Sequence, residues 1–280
     1  MGFLRAVEVF PPLYPSSRRK EDRIDFEHGL ERFLDDTRRV RACADLLLVA
    51  DVKDTKLLKF STLQAAALVK ETLRTEVAPV LVARDSNRPQ FLSTILTGLS
   101  LKLDYLMFAW GDPYPSAAGA TNVRDFQSLT EVIREAAVLR KRARAATRFL
   151  APIDVERLSR PGEAGRAKER LRAGAEYLLA QPPTTDIQAL DRHAKLLQAA
   201  NLRDRVLLNV FPFRDSKDVR ECEANFGWRL PKSLHSTALK GGKALFEAER
   251  EVIVALQEGG FPGVYLNTRG TPATAERLLF

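Results

Sequence analysis

Eight short apolar runs, each six or seven residues long, alternate with segments of helical spacing along this 280-residue chain. They occupy residues 4–10 (LRAVEVF), 45–51 (DLLLVAD), 77–83 (VAPVLVA), 104–110 (DYLMFAW), 148–154 (RFLAPID), 177–182 (YLLAQP), 205–211 (RVLLNVF) and 263–268 (GVYLNT). Runs of this length read as strands buried on both faces. Between them, residues 25–42, 61–75, 126–140, 186–200 and 241–258 repeat apolar side chains at intervals of three and four, the pattern of amphipathic helices. Eight units of about 35 residues match the repeat of a (β/α)8 barrel. Length alone would suggest about two domains, but the barrel makes 1–280 one catalytic domain. A doubly wound sheet would carry a glycine-rich turn after its first strand. Here that strand runs into Phe-Pro-Pro, and neither G-x-G-x-x-G nor a phosphate-binding P-loop motif occurs. Loops are expected at 115–122, 159–165 and 238–243, with an extra short helix near Pro231–Ala238 in the long gap before the last strand.

Charge and cysteine content narrow the function classes. Two cysteines, Cys43 and Cys222, make neither a disulfide framework nor a zinc cluster, which points to a cytoplasmic protein without a metal. No apolar run reaches membrane-spanning length, and the amino terminus lacks a signal-peptide pattern. The net charge is +8, and 31 of the 44 basic residues are Arg. The densest run, Arg140 to Arg148, lies at a predicted helix end, where cations complement the dipole, and no aromatic residues interleave with it for base stacking. A basic surface facing small polyanions is expected rather than a nucleic-acid interface.

In a barrel, chemistry sits at the carboxyl ends of the strands. Those ends supply Glu8, Asp51, Arg84 with Asp85, Asp112, Asp154, Gln181, Asn209, and Asn267 with Arg269. Glu8 is the most informative, because every neighbour in AVEVF is apolar. A carboxylate there is costly unless paired, and burial would raise its pKa into the range of a general acid. A carboxylate facing a wet barrel mouth reads equally well. Trp110-Gly111-Asp112 combines a glycine that lets backbone approach a ligand with a carboxylate, although Gly-Asp-Pro is also ordinary turn chemistry. Gln181 offers a donor and an acceptor for an amide-like ring edge, or a structural bond to the next strand. His28, His193 and His235 all fall in predicted helices and read as packing or surface residues.

In strand order, VEVFPP (7–12), FAWGDPY (108–114), LRAGAEYLLAQ (171–181), NVFPF (209–213) and YLNTR (265–269) resemble the motifs of the methylenetetrahydrofolate reductase family in its catalytic-barrel form. The resemblance implies reduction of 5,10-methylenetetrahydrofolate to 5-methyltetrahydrofolate by NAD(P)H, with FAD as the default cofactor, in one-carbon metabolism. It places Glu8 at the general acid and Asp112 at the carboxylate that contacts the pterin and tunes the cofactor. Gln181 and Arg269 fall at substrate-binding positions, and Trp110, Gly111, Arg166 and Arg170 at cofactor-binding ones.

The departures from the family pattern concentrate on the flavin set. Ala50 or Asp51 stands for a threonine, Val80 for a histidine, Trp110 for an arginine, and Arg166 and Arg170 for asparagine and lysine. Cys222 aligns with an aromatic residue that helps the substrate or nicotinamide stack. Three readings therefore stay open: a reductase with a remodelled FAD or FMN site, direct hydride transfer without flavin, and a non-redox pterin-binding methyl-transfer protein. The last leaves room for an electron-transfer partner subunit, and a homo-oligomer is compatible with any of them.

Overall fold

A computed structural model describes residues 2–15, 24–52, 57–111, 125–268 and 271–279. The eight expected strands are β1 (Leu4–Val9), β2 (Leu46–Val49), β3 (Glu76–Val82), β4 (Tyr105–Ala109), β5 (Arg148–Asp154), β6 (Ala175–Gln181), β7 (Val206–Val210) and β8 (Gly263–Asn267). They form a closed barrel in which each strand pairs in parallel with its sequence neighbours, and β1 closes on β8. This is the (β/α)8 barrel that the alternation implies.

Helices α1 (Phe26–Arg41), α2 (Thr62–Leu73), α3 (Arg88–Ser100), α4 (Leu129–Ala143), α5 (Glu163–Ala173), α6 (Ile187–Ala200), α7 (Ser216–Phe226), α8 (Lys232–Leu239), α9 (Gly242–Glu258) and α10 (Pro272–Leu279) surround it. Their starts are set locally. Asp25, Ser61, Asn87, Ser128, Asp186 and Asp215 each accept a hydrogen bond from the backbone N–H three residues on, satisfying donors that a helix end leaves unpaired. The unit boundary expected at 159–165 runs into the start of α5, and that at 238–243 is the junction of α8 and α9. The gap before β8 holds α7 as well as the expected short helix. A two-stranded antiparallel ribbon, Leu13–Pro15 with Leu57–Lys59, lies outside the barrel. The 115–122 segment lies outside the described residues.

Strand alternation divides the core in two. Val7, Val9, Leu47, Val49, Leu106 and Phe108 face outward and bury the helices' apolar stripes. Ala6, Leu46, Leu48, Tyr105, Met107 and Leu150 fill the lumen with Tyr177, Leu179, Leu207 and Tyr265. Glu8 continues the inward parity of Ala6, and Gln181 that of Tyr177 and Leu179. The period-two pleat therefore aims both polar side chains at the lumen's carboxyl end.

Candidate active site at the carboxyl end of the barrel

The lumen ends in a cavity of about 110 Å³, lined by Glu8, Asp51, Met107, Pro152, Gln181 and Tyr265 among others. Glu8 is 9% exposed. Burial pushes its carboxyl up to about 7, against a smaller opposing effect of its hydrogen bond with Tyr265. The Tyr265 hydroxyl donates to Glu8 Oε2 at 2.5 Å. Burial and the adjacent carboxylate raise the phenol well above its ordinary value, so it remains a donor, and the Asn267 side chain is bonded to it in turn. Thr268 Oγ1 donates to the Glu8 carbonyl at 2.8 Å and anchors the strand end. The arrangement is a buried carboxyl near neutrality with a fixed phenol, able to hold a proton and to receive the charge left after giving it up.

Gln181 lines the same cavity as Glu8. Its Oε1 accepts from Asn209 Nδ2 at 3.3 Å, so the amide's remaining hydrogen-bonding capacity lies in its N–H groups. Asn209 is fully buried, and its Oδ1 has no partner among the described residues. Asp51 also lines the cavity and pairs with Lys59 of the outer ribbon. Glu8 and Gln181 are thus brought together. Asp112 and Arg269 lie outside the described residues. Tyr265 is the cavity-lining side chain that the sequence pattern did not single out: it sits two residues before Asn267 with the parity that points inward.

The cofactor positions lie elsewhere. Trp110 packs against the outer apolar core. Gly111 has φ +82°, and the space a Cβ would take is filled by Val82 and the buried Arg84. Arg166 is exposed and paired with Glu163 at 2.6 Å, and Arg170 donates to the Pro152 carbonyl at 2.6 Å. None of the four lines the mouth cavity. Among the described residues the four do not converge on one cavity, and the buried Arg170 Nε has no hydrogen-bond partner. Among the described residues there is also no cluster of three or more potential metal ligands, and no helix is long and apolar enough to cross a membrane.

Of the histidines, His28 is exposed, His235 half-buried and His193 a packing residue. His193 is fully buried in α6 and bonded to Thr184 at 2.9 Å and to Glu156 at 3.0 Å. With Arg192 also bonded, the Glu156 carboxyl falls to about 2, the His193 hydrogen bond being the largest cause.

A second buried acid shapes the loop after β7. Glu249 of α9 accepts from the Phe213 N–H at 2.8 Å and is 2% exposed. Burial raises its carboxyl to about 8, and nearby Asp218 pushes the same way. A raised folded-state pKa means a stability contribution complete below about pH 4.5 and lost as pH rises through about 8. Glu249→Gln keeps an acceptor for Phe213 and removes the titration. Thermal melts should show wild type losing stability over this window, by up to about 1.4 kcal/mol per pH unit for each such group. The variant should be flatter and more stable at pH 8, while an unchanged slope would contradict the assignment.

Fold and site together define a parallel (β/α)8 barrel with an acid–phenol pair and an amide at its mouth. No protein-family model and no curated protein matches the chain. Among solved structures, it is similar to an uncharacterized protein from Clostridium thermocellum that binds two copies of 5-methyl-5,6,7,8-tetrahydrofolic acid. The TM-score is 0.60 at 12% identity, over 100% of this chain and 95% of that one. It is also similar to the C-terminal domain of a protein provisionally called a chitinase from Desulfitobacterium hafniense DCB-2. There the TM-score is 0.52 at 13% identity, over 100% and 98% of the two chains. Likeness at this identity shows a shared fold.

Proposed function

We propose that the barrel mouth binds a reduced folate and that Glu8 is its proton donor. The observation that carries this reading is the buried Glu8 carboxyl, raised to about 7 and hydrogen-bonded to Tyr265, in one cavity with Gln181. The motif resemblance in strand order and the ligand named for the Clostridium thermocellum protein support the same substrate class.

The reaction that fits is reduction of 5,10-methylenetetrahydrofolate. A proton from neutral Glu8 to N10 lets the C–N10 bond of the imidazolidine ring break and leaves a 5-iminium ion. Hydride from NAD(P)H then reaches the exocyclic methylene and gives 5-methyltetrahydrofolate. The Glu8 carboxylate left behind is held by the Tyr265 O–H. Gln181 presents amide donors to the pterin edge. A proton donor matched to neutral pH contributes about 10²–10⁴-fold to such a step.

Titration of the purified chain with 5-methyltetrahydrofolate, followed by tryptophan fluorescence, tests the binding. Saturable binding is expected, and its absence would overturn the proposal. Oxidation of NAD(P)H with 5,10-methylenetetrahydrofolate, measured beside the visible spectrum of the protein, separates the chemistries. Turnover with a flavin spectrum places FAD in the route, and turnover by a colourless protein makes the transfer direct. Binding without turnover leaves the non-redox pterin-binding reading.

A further inference from the structure

Asn209 breaks the pattern of β7. The strand reads VLLNV, and every residue of it is buried. Alternation turns Leu208 and Val210 toward the helices and Leu207 toward the lumen, so Asn209 shares the lumen side with Leu207. It is fully buried and does not line the mouth cavity. Its Oδ1 has no partner among the described residues. A buried acceptor left unpaired costs stability that an apolar side chain, such as Leu207 two residues earlier, avoids. A local rule broken at a cost is expected where function demands it.

The position shows what the cost supports. Asn209 is the register partner of Tyr265 on β8. On its other side, β6 and β7 pair Leu179 with Leu207, and two residues further along each strand stand Gln181 and Asn209. Asn209 therefore lies between the strand that carries the phenol and the strand that carries the amide. Its Nδ2 donates to Gln181 Oε1 at 3.3 Å. Its backbone carbonyl accepts from the Thr184 N–H at 2.7 Å, which ties β7 to the loop after β6. Gln181 itself is only half-buried, so packing alone does not fix its amide.

We infer that Asn209 is a positioning residue: it holds the Gln181 amide in one orientation, with the N–H groups left to donate to a ligand that presents hydrogen-bond acceptors. The two ends of an amide are alike in shape and opposite in hydrogen bonding. A fixed amide therefore selects the ligand edge it meets, whereas a turning one accepts either kind. The inference rests on the proposed function for the identity of that ligand, a reduced folate, and on the Asn209–Gln181 contact for the rest.

The test is a double-mutant cycle on the whole chain with 5-methyltetrahydrofolate as the probe, joined to NMR of the free protein isotopically labelled at its glutamine side-chain amides. Asn209→Leu removes the donor and the unpaired acceptor together, and Asn209→Ala makes the same comparison where leucine overfills the lumen. Loss of Asn209 should raise the dissociation constant about tenfold, the scale of one oriented hydrogen bond. Made on top of Gln181→Met, the same change should cost less than about twofold, because Asn209 acts through the amide. Equal losses in both backgrounds would be the mark of a general structural role and would overturn the inference while leaving the folate reading standing. The Gln181 amide signals, identified by their absence from Gln181→Met, should shift and lose order in the Asn209 variants. If the wild type binds no folate, the folate reading falls and the NMR decides alone. A loosened Gln181 amide would then keep the positioning role, and an amide unchanged by loss of Asn209 would overturn it.

Discussion

Glu8→Gln is expected to lower turnover of 5,10-methylenetetrahydrofolate by about 10²–10⁴-fold while preserving the fold and 5-methyltetrahydrofolate binding. The substitution is close to isosteric, and the amide oxygen still accepts from the Tyr265 hydroxyl, 2.5 Å from Glu8 Oε2 in the wild type. Only the transferable proton is lost. The buried carboxyl, pushed up to about 7 by desolvation, also costs stability when it ionises. The variant should therefore melt no lower than wild type at pH 8, which separates lost chemistry from lost structure. Near-wild-type turnover would remove Glu8 from the mechanism.

The same geometry fixes the sign of the pH dependence. Glu8 works as an acid, so kcat/KM should fall as pH rises through about 7. Tyr265 donates to the carboxylate and holds its pKa down. Tyr265→Phe removes that donor and should move the alkaline limb to higher pH. A limb that stays in place would show that another group titrates.

The eight strands were readable because each is a short apolar run bounded by polar turns, and because a barrel buries both strand faces. Glu8 was readable for the same reason, as a carboxylate where the pleat demands an apolar side chain. Helices α3 and α5 give weaker signals. In α5 only Ala167 is buried along Glu163–Ala173, so no apolar stripe marks it. In α3, FLSTILTGLS is apolar or small on most faces. The outer ribbon joins two three-residue strands far apart in sequence, below the length at which alternation can be detected. Tyr265 illustrates a different limit. Its partner Glu8 lies 257 residues away, and only the β1–β8 register brings the two together. Arg166 and Arg170 were placed at a cofactor by resemblance; in the folded chain Arg166 pairs with Glu163, and Arg170 donates to the Pro152 carbonyl while its buried Nε has no partner among the described residues.

Gly263→Ala is the second large effect, because barrel closure passes through this residue. Gly263 opens β8 opposite Leu4 of β1. A Cβ there would sit 2.1 Å from the Leu4 carbonyl oxygen and 2.8 Å from its carbon. Both are backbone atoms, so no rotamer change relieves the contact. Relief requires one strand to move, yet β1 is also bonded to β2 and β8 to β7. Overpacking against such a frame should cost about 3 kcal/mol or more, a fall of about 5 °C or more in Tm for a chain of this size. The comparison is Gly165→Ala in α5, where a Cβ meets nothing within 4 Å. That change should leave Tm level or raise it, since alanine favours a helix by about 1 kcal/mol. The seam also carries the chemistry. Tyr265 lies two residues after Gly263, and Glu8 pairs with Asn267 along the same strand contact. A displaced β8 should therefore weaken the Tyr265–Glu8 bond and shift the alkaline limb upward, as Tyr265→Phe does. A Gly263→Ala protein that melts like wild type would show that the seam yields without cost, and would sever the link between barrel closure and the placement of the acid.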